Sequence, residues 1–200
     1  MTTKRSTIVG NFRLQIKTLL GIVVLLWVIE AVDLVFFNGA LNNLGIRPRT
    51  ASGLWGILFA PFLHGNFAHL LANTIPLVSL GWLIMLRKSE DLIPVTVISA
   101  LVGGFGTWLI GSPGVHIGAS GVIFGYFGFL LLRGYFERSM VAIAFSLLVT
   151  FLYGGIIWGV LPSQPGISWE GHLCGFIGGV IAARLLSSPR KKERLDNFDL

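Results

Sequence analysis

Cysteine is almost missing from this chain: Cys174 stands alone among 200 residues. An intrachain disulfide and a metal cage built from cysteines are both excluded. Charge is scarce too, at 12% of residues, against roughly 25% in a soluble domain. No internal repeat is visible, which removes support from an inverted-repeat transporter. A cleavable leader is not expected. The first apolar run, 19–37, is long for a signal-peptide core, and no small-residue cleavage site follows it.

What fills the chain is apolar, at 54% of residues. A membrane-crossing helix needs about 20 mostly apolar residues. Six candidates stand at about 16–37, 67–86, 92–110, 120–132, 140–160 and 169–186, the fourth being short. The expected fold class is all-α: a polytopic bundle of six transmembrane helices in one domain, 1–186, with no room for a separate soluble module. A short polar cytoplasmic tail, 187–200, is expected to follow it.

The net charge of +6 raises nucleic acid as a partner, but the basic residues flank the apolar runs, as in a topology signal. No nucleic-acid partner is expected. Lys4, Arg5, Arg13 and Lys17 precede the first span, and Arg87 and Lys88 follow the second. Arg133 and Arg138 lie between the fourth and fifth. Arg184, Arg190, Lys191, Lys192 and Arg194 end the chain. The opposite side has only Arg47 and Arg49. Basic loops stay in the cytoplasm, so both termini are expected inside, in the cell membrane. The second, fourth and sixth spans then begin at the outer side. All four histidines, His64, His69, His116 and His172, fall on that side.

Ser120 opens the fourth span in Gly118-Ala119-Ser120-Gly121. A serine hydroxyl is a weak nucleophile and needs a base. At a helix start, its own N–H is unpaired and can face a developing oxyanion. The plainer reading is close packing, since Gly121 and Gly125 make a small-residue pattern. The sequence is also not the Gly-x-Ser-x-Gly elbow of soluble hydrolases. His172 opens the sixth span beside a stripe of Gly171, Gly175 and Gly179. Ser120 sits beside Gly121, Gly125 and Gly128. Two such stripes permit close approach, and with it a Ser120–His172 hydrogen bond. The plainer alternative is a buried histidine donating to a carbonyl. His69 and Asn73, four apart, share one helix face. They suit two oxyanion donors or an interhelical polar contact.

A metal site is not expected. His64 and His69 are five apart, not four, and no acid follows His64. Glu170 lies two residues before His172, about 200° around the helix, and so does not suit a third triad member. It reads better as a loop carboxylate. Glu30 and Asp33, one turn apart near the outer end of the first span, are expected to pair with Arg47 and Arg49. The first loop, 38–66, has Trp55, Ile57, Leu58, Phe59, Phe62 and Leu63. These suit either an element lying in the membrane interface or packing against the bundle rim.

Together these residues resemble the rhomboid family of intramembrane serine proteases. The resemblance runs from Trp55 to Ala183. It rests on His64-Gly65-Asn66-Phe67-Ala68-His69-Leu70-Leu71-Ala72-Asn73, on Gly118-Ala119-Ser120-Gly121, and on His172-Leu173-Cys174-Gly175 with Gly179. It implies Ser120 as nucleophile and His172 as base, acting as a dyad without a cofactor. It implies His69 and Asn73 at the oxyanion. The implied fold is a six-helix core, without a seventh helix, around a water-filled cavity opening outward. The implied substrates are single-pass membrane proteins, cut near the outer end of their spanning segments. Two residues depart from the family pattern: Gly56 follows Trp55 where arginine is common, and Phe124 stands where many members have tyrosine. The alternative function is a catalytically silent member of the same fold that binds transmembrane segments.

Overall fold

The computed structural model describes residues 2–138, 140–162 and 166–187, with side chains from Phe12 onward. The tail expected beyond Ser187 lies outside the described residues. Seven α-helices follow in order: α1 Thr2–Phe36, α2 Ala51–Phe59, α3 Phe67–Arg87, α4 Leu92–Ile110, α5 Ser120–Glu137, α6 Met140–Tyr153 and α7 Trp169–Leu186. Among the described residues there is no strand, only one antiparallel bridge between Ile46 and His116.

Four stretches are long and apolar enough to cross a membrane: Phe12–Phe36, Phe67–Arg87, Ser89–Ile110 and Met140–Val160. The other two expected spans are α5 and α7, each 18 residues, or about 27 Å against a hydrocarbon core of about 30 Å. Their position explains their composition. Twelve of the 18 residues of α5 are buried, because α3, α4, α6 and α7 all pack around it. A helix that faces protein need not be uniformly apolar. The α5–α7 seam is made by glycine: a β-carbon on Gly175 would collide with the Gly121 carbonyl, and one on Gly179 with that of Gly125. The two backbones lie in direct contact, as small-residue stripes permit.

Several boundaries differ from the sequence expectation. The fourth expected span, α5, runs five residues beyond 132, to Glu137. Arg133, expected in a loop, is buried, and its charge is met from two sides. It bonds Asp91 and Glu137, and Arg87 reaches the second oxygen of Glu137 at 2.7 Å. The expected continuous 140–160 helix ends as α-helix at Tyr153 and continues as a 3₁₀ helix over Gly154–Val160. Two consecutive glycines at the junction weaken the α-form there. The first helix starts well before 16.

The first loop forms α2, capped by Thr50, whose hydroxyl accepts from the Gly53 N–H at 3.1 Å. The packing reading of this loop holds on one face, and the other face is open. Gly53 and Gly56 press against the 45–47 backbone, while Trp55, Leu58 and Phe59 are exposed. The expected pairing of Glu30 and Asp33 with Arg47 and Arg49 does not occur. Asp33 accepts from the Leu41 N–H at 2.9 Å, wrapping the turn after α1. Arg47 bonds Asn43, and Arg49 donates to the Leu109 and Gly111 carbonyls. Carbonyls exposed at a helix end compete well for a guanidinium. Glu30 is buried with one oxygen unpartnered.

The bundle has two unlike ends. The starts of α3, α5 and α7 meet at one end, bringing His69, Ser120 and His172 together. The ion network of Arg87, Asp91, Arg133 and Glu137 closes the other.

Candidate active site

Ser120 is the first residue of α5, and no side chain caps that helix. The approach is made by Gly118, whose φ of +113 is one that a side-chain-bearing residue rarely adopts. The Gly118 N–H donates to the Ala60 carbonyl at 2.9 Å, fixing the loop just before the serine.

His172 lies in the first turn of α7. Its Nδ1 is 2.9 Å from the Gly159 carbonyl, and its Nε2 is 2.8 Å from the Ser120 hydroxyl. The carbonyl can only accept, so Nδ1 carries the proton and Nε2 presents its lone pair to the serine. The imidazole stacks on Phe124, with centroids 4.1 Å apart and planes 9° from parallel. Both sequence readings of His172 are thus realised at once, one at each nitrogen. The tyrosine-to-phenylalanine departure leaves the stacking face in place.

Gly159 was not legible as a site residue. It lies in the 3₁₀ turn after α6 and orients His172 by its carbonyl, which every residue has. The fact that marks it is steric: a β-carbon there would lie 2.7 Å from Phe124 and 3.3 Å from His172 Nδ1.

Asn66 caps α3 by accepting from the His69 N–H at 2.8 Å. This sets the first turn of α3, with His69 and Asn73 on one face. His69 Nδ1 accepts from the Gly65 N–H at 3.4 Å, which leaves its Nε2–H free to donate. That ring edge and the Asn73 amide nitrogen converge on Gly118. A β-carbon at Gly118 would lie 2.9 Å from His69 Nε2 and 3.7 Å from Asn73 Nδ2. Asn73 spends one N–H on the His69 carbonyl, at 3.2 Å, and keeps the other. Neither side chain bonds Ser120 or His172. They meet the loop two residues upstream of the serine.

The other histidines sit around this centre. His64 is fully buried, with only a weak backbone contact to Phe62 for its ring nitrogens, and its ring is 5.1 Å from that of His69. Burial first, and the His69 charge second, push its pKa down to about 4, so it is neutral near pH 7. His116 belongs to the rim, bonded to Ser168 and to the Ser112 carbonyl. Glu170 accepts from Ser112 and makes no hydrogen bond to the imidazole of His172; it is not the loop carboxylate expected from the sequence but a buried residue of the first turn of α7. Among the described residues no three His, Cys, Asp or Glu side chains converge as a metal site would require. Behind Ser120 is a cavity of about 50 Å³, with Ser99, Thr107, His116 and Ser168 in its wall. That is room for water.

A serine hydroxyl bonded to the unprotonated nitrogen of an imidazole is the arrangement that a serine nucleophile needs from its base. His69 and Asn73 each keep an N–H beside Gly118, in the loop that leads into Ser120.

Comparison with known proteins gives the same direction. Residues 51–189 match the family model described as the Rhomboid domain. An uncharacterized protein of Mycobacterium tuberculosis is 46% identical over 96% of this chain and 82% of its own length. YdcA of Bacillus subtilis, whose name assigns it provisionally to the rhomboid proteases, is 30% identical over 92% of this chain and 96% of its own length. Rhomboid protease GluP of the same organism is 32% identical over 78% of this chain but only 30% of its own length. With the apolar helices described above, these similarities show that the chain is an integral membrane protein belonging to the rhomboid family, which at family level is one of intramembrane proteases.

Proposed function

We propose that the chain is a serine endopeptidase that cuts membrane proteins in or near their transmembrane segments. The observation that carries this reading is the 2.8 Å Ser120–His172 contact with the imidazole proton held on the Gly159 side. Ser120 Oγ attacks the scissile carbonyl while its proton passes to His172 Nε2. The oxyanion is stabilised by the Ser120 N–H, His69 Nε2–H and the free N–H of Asn73. His172 then protonates the leaving amine, and the acyl-enzyme forms. Water attacks the ester with His172 again as base, releasing the new carboxyl end and restoring Ser120. No cofactor takes part.

The six spanning helices of this reading are α1 and α3 to α7. The starts of α3, α5 and α7 face the outer side of the cell membrane, and both termini face the cytoplasm, as the basic residues require. The domain is taken as 1–186. The expected gate to Ser120 is α6 with the loop from Leu161 to Ser168, and part of that loop lies outside the described residues. The test is cleavage of a model transmembrane substrate by purified protein. Ser120→Ala is expected to abolish cleavage with the fold intact, because losing one hydroxyl opens little space. Cleavage by that variant at the wild-type rate would contradict the assignment.

A further inference from the structure

We propose that Glu170 is a positioning residue that sets the Ser120–His172 geometry from outside the pair. The inference rests on Ser120 being the nucleophile. Glu170 is in the first turn of α7, and its residue is 1% exposed. A carboxylate buried this far needs partners for its charge. One oxygen accepts from both the Ser112 N–H, at 2.8 Å, and the Ser112 hydroxyl, at 2.5 Å.

Ser112 is the second residue of the loop that runs from the end of α4 to Ser120. Glu170 stands two residues before His172. The contact therefore ties the segment carrying the nucleophile to the helix carrying the base. A second contact runs parallel to it: His116, in the same loop, bonds the hydroxyl of Ser168, the N-cap of α7, at 2.6 Å. The loop is closed on itself by His116 Nε2 and the Ser112 carbonyl, at 2.9 Å. Its far side is pinned by the paired backbone bonds of Ile46 and His116, both 2.9 Å. The loop before Ser120 is thus held against α7 at two points. Glu170 supplies the charged one. Charge-assisted bonds are the stronger kind, and a misplacement of about 1 Å at a reacting pair can cost about 10²-fold in rate.

The experiment measures two rates on purified, detergent-solubilised protein: fluorophosphonate labelling of Ser120, and kcat and KM on a transmembrane substrate. Glu170→Ala is expected to slow labelling and kcat by about 10- to 100-fold with KM little changed. Glu170→Gln keeps an acceptor oxygen for Ser112 and is expected to recover most of both rates. Ser112→Ala removes one of the two donors and is expected to slow labelling several-fold; it supplies the reading if Glu170→Ala does not fold. A Glu170→Ala protein that melts earlier but labels and turns over at wild-type rate would overturn the proposal, leaving Glu170 a structural acid. So would Ser112→Ala at wild-type rate, or Glu170→Gln as slow as Glu170→Ala. If the wild-type protein itself is not labelled, the serine-protease reading falls and takes this inference with it. A labelled wild type with unaffected variants sinks this inference alone.

Discussion

At the scale of single residues, the proposed chemistry depends on where two protons sit. Gly159 holds one on His172 Nδ1, and Gly65 leaves one on His69 Nε2. Asn73→Ala removes a proposed oxyanion donor and is expected to lower kcat by about 10²-fold with KM nearly unchanged; initial-rate kinetics checks it, and a change in KM alone would make Asn73 a binding residue. Gly159→Ala pushes a methyl against Phe124 and is expected to slow turnover by disturbing the ring stack. His64 gives a pH prediction. Its folded pKa of about 4 lies below the ordinary 6.5, so the unfolded chain takes up the proton first. Its contribution is intact above about pH 6.5 and is lost as the pH falls toward 4, up to about 3 kcal/mol. His64→Phe is expected to flatten that loss in melting curves at pH 7 and 4.5. The spacing of His69 and Asn73 was legible because four residues make one helical turn. The role of Gly159 was not, because a backbone carbonyl leaves no mark in a sequence.

At the scale of elements, helices were legible where apolarity ran unbroken and obscure where charge was satisfied inside the bundle. Arg133 reads as a loop residue until Asp91 and Glu137 are placed beside it. The α2 helix was hidden for another reason: nine residues are too few for a clear period. The pair of charged and glycine-rich contacts around α5 has measurable consequences. Arg133→Ala leaves Asp91 without its buried partner, and about 3–5 kcal/mol of stability is expected to go with it. Reversible unfolding in mixed micelles measures this, and the turnover of the folded fraction is expected to hold, since the network sits at the end of the bundle away from Ser120. Gly175→Val drives a side chain into the Gly121 carbonyl. It is expected to destabilise the α5–α7 seam by at least about 1–3 kcal/mol and to uncouple Ser120 from His172.

At the scale of the molecule, a charged end is separated from the end that holds Ser120 and His172. Thirteen of the fifteen basic residues were assigned to one side from the sequence. Two of the described members, Arg87 and Arg133, lie in the ion network at the end away from Ser120. Cleavage is therefore expected near the outer end of a substrate helix, beside residues that unwind easily. Unwinding in hydrocarbon leaves backbone groups unsatisfied unless water reaches them. A uniformly Leu-rich segment is expected to be cut slowly, and glycine or proline nearby to restore the rate, with product masses from oriented vesicles locating the cut. The central claim is narrower than sidedness: Ser120 is activated by His172. The measurement that meets it most directly is fluorophosphonate labelling of the purified protein, with the modified residue mapped by mass spectrometry. The expected result is a single adduct on Ser120, absent from Ser120→Ala and nearly absent from His172→Ala. An adduct on another serine, or undiminished labelling of His172→Ala, would contradict the account.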